Sequence, residues 1–155
     1  PQAPYMPIGT LREQFTYPDV SSLKEGASTA DKVDAKITTL LQDFGLSELP
    51  RRFPKGLSQT DDWTRILSKG EQQRVAAIRG ILAMPKLLMV DEATSALSEA
   101  DEELIYMHFV KLDIPIISVG HRNTLLKYHD VVLELLEGGE HKLWSSTEEY
   151  RAHAA

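Results

Sequence analysis

A chain of 155 residues and 17.4 kDa has the size of one compact domain or a large part of one. With 17 basic against 23 acidic residues, the net charge of −6 argues against a basic nucleic-acid module, and 42% hydrophobic and 26% charged residues is a globular composition. The absence of cysteine excludes disulfides, zinc–thiolate sites and thiol catalysis, and no run approaches the roughly 20 apolar residues that cross a bilayer.

The first thirty residues carry four prolines (Pro1, Pro4, Pro7, Pro18) with Gly9 and Gly26, which predicts irregular backbone around one short helix near Thr10–Phe15. Val33, Ile37, Leu40, Leu41 and Phe44 recur at helical spacing, so a helix is expected over Asp31–Phe44, with Gly45 as its stop signal. Ser47–Phe53 adds a further turn, and Pro54 and Gly56 open a polar loop through Asp62. Ser68 followed by Glu71 is a capping-box pattern. The helix it starts carries Val75, Ile78 and Leu82 on one face, and Pro85 ends it.

Leu87–Val90 is a continuous apolar run closed by Asp91 and Glu92, the pattern of a strand buried on both faces. A helix over Glu99–Val110 follows, and then a second buried strand, Ile114–Gly120. Val131–Leu136 and His141–Trp144 flank a turn at Glu137–Glu140, which reads as a hairpin, and Thr147–His153 closes the chain as a helix. Strand, helix, strand with polar residues at the strand ends predicts an α/β fold with a parallel sheet.

In such sheets ligands gather beyond the carboxyl ends of the strands. Asp91 and Glu92 sit at one such end and His121 at the other. A carboxylate there suits Mg²⁺, which is held through oxygen and retains water. A neighbouring carboxylate suits water activation. Alone, each pattern is better explained by solvated turn residues or by a histidine capping a strand end.

Together they carry a resemblance. Leu67-Ser68-Lys69-Gly70-Glu71-Gln72-Gln73-Arg74 resembles the signature motif of ABC-type ATPases. Leu87-Leu88-Met89-Val90-Asp91-Glu92 followed by Ala93-Thr94-Ser95-Ala96-Leu97 resembles Walker B running into the D-loop. Ile116–Arg122 is similar to the switch-histidine segment, and Gln2 with Pro4–Arg12 to the Q-loop and its downstream segment. The four motifs stand in the family's order. Tyr5–Arg12, Tyr17-Pro18, Asp62-Trp63 and Lys127–Asp130 are similar to half-transporters of subfamily D, the peroxisomal acyl-CoA type, and their bacterial relatives.

The resemblance implies a P-loop NTPase-like parallel sheet with a helical signature subdomain. Residues of about 1–80 would form the Q-loop and signature part, and about 81–155 the Walker B, D-loop, switch-histidine and hairpin part. It implies ATP and Mg²⁺ as cofactors, and two nucleotide-binding domains, identical or different, sandwiching ATP, each covering the other's nucleotide with its signature segment. Ser68, Lys69, Gly70, Glu71 and Gln72 would line that cover, and Ser95, Ala96, Leu97 and Ser98 would cross the interface. Asp91 and Gln2 would serve the metal, Glu92 would be the general base, and His121 would contact the terminal phosphate. Lys69 replaces the first signature glycine and Ser98 the usual D-loop aspartate. Arg12 and Glu13 match positions that meet the transmembrane domains, so the implied place is the cytosolic face of a membrane, within a transporter.

The chain has no Gly-Lys dipeptide and no Lys followed by Ser or Thr, so the phosphate-cradling Walker A is missing. An excised portion is therefore expected, without the Walker A strand and amino-terminal β-subdomain, inactive alone and with apolar sheet surface uncovered. Two other readings remain at this point. One is a non-catalytic interaction module that keeps the fold. The other is a soluble ABC ATPase, disfavoured by the short, heptad-free stretch between Gln2 and Ser68.

Overall fold

The computed structural model describes residues 4–18 and 27–154, so Gln2 lies outside the described residues. The chain divides into two compact units, Pro1–Ser118 and Val119–Ala155.

In the first unit, β1 (Gly9–Thr10) leads directly into α1 (Leu11–Thr16). Thr10 caps α1 in a complete capping box: its hydroxyl accepts from Glu13 N at 3.2 Å, and its own N–H donates to Glu13 Oε2 at 2.6 Å. Arg12 pairs with Asp34 of α2 (Ala27–Asp43), its Nε donating to Oδ1 at 2.6 Å. Arg12 and Glu13, matched on sequence to a docking position, thus each have a partner inside this chain.

Helix α2 begins four residues before the predicted start and buries Ile37 and Leu41. It ends in a Schellman pattern, with Leu46 N donating to Leu41 O at 2.7 Å and Gly45 N to Gln42 O at 3.1 Å. That closure needs φ of +64° at Gly45, which glycine adopts without Cβ strain.

The predicted polar loop proves more ordered than its composition suggests. After a 3₁₀ turn at Pro50–Arg52 and another at Gly56–Ser58, β2 (Thr60–Asp61) pairs antiparallel with β1, and α3 (Trp63–Ile66) follows. Trp63 anchors this region. It is 1% exposed, its indole N–H donates to Gly9 O at 2.8 Å, and Phe53 meets its ring edge-on at 5.2 Å.

Helix α4 (Lys69–Ala83) starts and stops as its sequence signals predict, with Met84 in the left-handed region just before Pro85. Its Val75 and Ile78 are fully buried. Arg79 reaches across to α1, with Nε donating to Gln14 O at 2.7 Å and Nη1 to Tyr5 O at 2.9 Å. Burial lowers the pKa of this guanidinium, which nevertheless stays charged at neutral pH.

Strands β3 (Leu88–Asp91) and β4 (Ile116–Val119) form a two-stranded sheet, and α5 (Glu99–Val110) connects them. A helical connection of this length is what parallel neighbours require. Ser98 caps α5, and Tyr106 O–H donates to Ser118 Oγ at 2.8 Å, tying the helix to β4.

The expectation that both strands are buried on two faces is not met. Met89 is 70% exposed and Ile117 49%, while Val90 is buried. Continuous apolar patterning marks a strand suited to burial on both sides, but burial itself depends on what covers it, and here one face is open to solvent. Met89 and Ile117 thus present apolar side chains to solvent on these strands.

In the second unit, a 3₁₀ turn at Asn123–Tyr128 precedes β5 (Val132–Leu135) and β6 (His141–Trp144), an antiparallel hairpin in the register Val132↔Trp144. Trp144 is buried beneath α6 (Thr147–Ala154), against Tyr150 and His153, and donates to Glu134 at 3.0 Å.

Candidate functional site

Ser68 takes extended backbone (ψ 159°) and its hydroxyl accepts from Glu71 N at 3.2 Å, while Ser68 N donates to Glu71 Oε2 at 2.9 Å. The first turn of α4 is thereby set with its amide end toward solvent, since Ser68 and Lys69 are exposed. A helix amino terminus of this kind favours an anion through its backbone N–H groups and partial positive charge.

Glu71 does more than close the box. Its other oxygen accepts from Arg52 Nη2 at 2.7 Å. Burial is the largest influence on this carboxyl and pushes its pKa up; the Ser68 N–H, the Arg52 guanidinium and the Ser68 hydroxyl together outweigh it and hold the carboxyl below its ordinary value. A depressed folded pKa stabilises fully above the unfolded carboxyl range and is lost as pH falls through the folded value. Arg52→Gln is therefore expected to lower stability by about 0.5–1 kcal/mol at neutral pH, modest because the guanidinium is half-exposed. The gap to wild type narrows on acidification below the ordinary glutamate range. Urea midpoints measured against pH check this, and a pH-independent gap would contradict it.

Gln72 is turned inward, its amide donating to Leu67 O at 2.8 Å and Thr64 O at 3.1 Å, so it holds α3 to α4. Gly70 lies against the turn that follows β3: a Cβ added there would meet Leu97 Cδ2 at 3.4 Å and Ala96 O at 3.9 Å. The structure thus brings the Ser68–Gly70 end of α4 beside the Ser95–Ser98 turn.

That turn is built by Glu92, whose φ of +46° is uncommon for a residue with a Cβ. Glu92 swings the chain out of β3 so that Ser95 N donates to Glu92 O at 3.1 Å and Leu97 N to Thr94 O at 3.0 Å. Thr94 O–H then donates to Glu102 Oε2 at 2.9 Å, and Glu102 is 1% exposed, pinning the turn to α5. Strained backbone at a chemically interesting carboxylate is a recurrent feature of functional sites.

Asp91 and Glu92 are both exposed at the carboxyl end of β3. Among the described residues no group of three or more His, Asp or Glu side chains converges on a metal position. One carboxylate is nonetheless a suitable donor set for Mg²⁺, which completes its shell with water and phosphate oxygens. His121 is exposed in the second unit, directly before the Asn123–Tyr128 turn.

Sequence reasoning gave no role to Arg52, Gln73 or Glu102, although Gln73 stands within the signature-like segment. The signal available for two of them was a polar residue one helical turn from a buried apolar one, as with Gln73 before Ala77 and Glu102 before Ile105.

The family described as ABC transporter matches residues 3–95. The chain belongs to the ABC transporter family. Among its relatives, ABC transporter D family member 2, chloroplastic, of Arabidopsis thaliana is 37% identical and aligns with 87% of this chain and 22% of its own length. The human lysosomal cobalamin transporter ABCD4 is 42% identical across 92% of this chain and 23% of its own. The mouse ATP-binding cassette sub-family D member 3 is 35% identical across 96% and 22%. The resemblance to subfamily D is thus carried by relatives that bear its name, and the chain spans less than a quarter of their length. In fold it is similar to a bacterial Atm1-family ABC exporter solved with ATP bound, with a TM-score of 0.73 over 100% of this chain and 26% of that one, at 23% identity. The fold is that of an ABC transporter ATPase. No helix among the described residues is long and apolar enough to cross a membrane.

Proposed function

We propose that this chain supplies the nucleotide-covering and water-activating part of an ATP-hydrolysing domain that powers a membrane transporter at its cytosolic face. The observation that carries the reading is the packing of Gly70 against Ala96 and Leu97. It places the anion-favouring end of α4 beside the turn that issues from Asp91 and Glu92.

In this reading the α4 amino terminus, with Ser68, Lys69 and Gly70, faces the terminal phosphate of an ATP held by a second nucleotide-binding domain. Ser95–Ser98 lies at the junction of the two domains. Glu71, already occupied by Ser68 and Arg52, shapes that end of the helix rather than reaching outward. Asp91 and Gln2 would hold Mg²⁺. Bound Mg²⁺ would neutralise charge that develops on the phosphates. Glu92 accepts a proton from the attacking water, and His121 orients it through the terminal phosphate. The transmembrane domains are the other partners.

Lacking any Gly-Lys-Ser/Thr segment, the chain by itself is expected to bind MgATP weakly and not to turn it over. Titration with MgATP followed by amide resonances should move Ser68–Gly70, while a coupled ATPase assay stays at background. Robust turnover by the purified chain, or no response at Ser68–Gly70 at millimolar MgATP, would sink the proposal.

A further inference from the structure

We propose that Gln73 is a positioning residue that locks the Ser95–Leu97 turn to the signature helix, so that both covering segments are presented as one preset body. The functional meaning rests on the nucleotide-covering reading; the lock itself does not.

Gln73 lies in the second turn of α4 and is 3% exposed. Its side-chain amide grips two consecutive residues of the turn. Oε1 accepts from Ala96 N at 3.1 Å, and Nε2 donates to Ser95 Oγ at 3.3 Å. The orientation of the amide is dictated by its partners. A backbone N–H only donates, so it must face Oε1, and Nε2 is then left for the hydroxyl.

The same turn is also held by Thr94 on Glu102 and by Leu97 against Gly70. The Thr94 and Leu97 contacts fix where the turn sits; Gln73 grips the Ala96 backbone itself, and so sets its register relative to Ser68. Glutamate at position 73 can keep both contacts only by accepting from the Ser95 hydroxyl instead of donating to it, and methionine keeps neither. A carboxylate keeps the acceptor facing Ala96 N–H, whereas a thioether of similar length gives up both. A site assembled from segments already held in register avoids the ordering cost of binding.

The test is site-resolved amide exchange on the nucleotide-free 155-residue chain. Gln73→Met is expected to speed exchange of the Ala96 N–H at least tenfold, leaving the Val75 and Ile78 amides of α4 unchanged. Gln73→Glu is expected to restore Ala96 protection at neutral pH, which a loss of packing alone would not do. Ala96 exchange within twofold of wild type in a folded Gln73→Met chain would overturn the proposal, as would equal acceleration at Val75 and Ile78. Should Gln73→Met fail to fold, the wild type decides. Its Gln73 side-chain NH₂ must exchange more slowly than free glutamine, and exchange at the free rate would overturn the lock. Because no nucleotide is present, a failure here is distinct from a failure of the MgATP titration.

Discussion

Trp63→Ala is expected to cost about 3–5 kcal/mol of stability, the range for emptying a buried tryptophan site. The indole is held on several sides. Its N–H donates to Gly9 O at 2.8 Å, Phe53 packs edge-on at 5.2 Å, and the short β1–β2 pairing passes directly by it. Alanine leaves a cavity and removes the indole's bond to the Gly9 carbonyl. Trp63→Phe keeps most of the ring volume and should lose about 1 kcal/mol, the net worth of one hydrogen bond. Urea unfolding followed by far-ultraviolet circular dichroism separates the two, and Trp144 fluorescence reports the hairpin unit on its own. A loss below 1 kcal/mol for Trp63→Ala would show that Trp63 does not anchor the β1–β2 region.

The second large effect concerns chemistry. Fusing a Gly-Lys-Ser/Thr phosphate cradle from a subfamily D relative ahead of Pro1 is expected to confer ATP turnover. In that chimaera, Glu92→Gln should lower kcat by about 10²–10⁴-fold, the span for removing a general base. MgATP affinity should change little, because the amide keeps the size of the side chain and its place at the end of β3. Single-turnover measurements with saturating MgATP distinguish a slowed chemical step from weakened binding. Turnover within tenfold of the parent chimaera would remove Glu92 from the catalytic role. Glycine at the same position would relieve the left-handed backbone at φ +46°, so Glu92→Gly should raise the urea midpoint even as it removes the carboxylate.

Local chemistry accounts for what could be read from the amino acids alone. The capping boxes Thr10–Glu13 and Ser68–Glu71 each complete themselves within four residues, so the starts of α1 and α4 were legible without tertiary information. The same holds for the Gly45 stop, for α5 over Glu99–Val110, and for the hairpin around Gly138 and Gly139. Motif order placed the chain in its family for a related reason: backbone turns and strand ends that must meet phosphate and metal tolerate few residue types.

What depended on the folded chain involves partners distant in sequence. The pairing of β1 with β2 joins residues about fifty positions apart across a segment composed like a loop. Arg52 on Glu71, Arg79 on Gln14 and Tyr5, and Gln73 on Ser95 and Ala96 are side-chain contacts that no periodicity announces. The exposed face of β3 and β4 is the instructive failure. An apolar run records the environment a strand is suited to, whereas burial is set by whatever packs against it, and hydrophobic patterning carries no information about where that cover comes from.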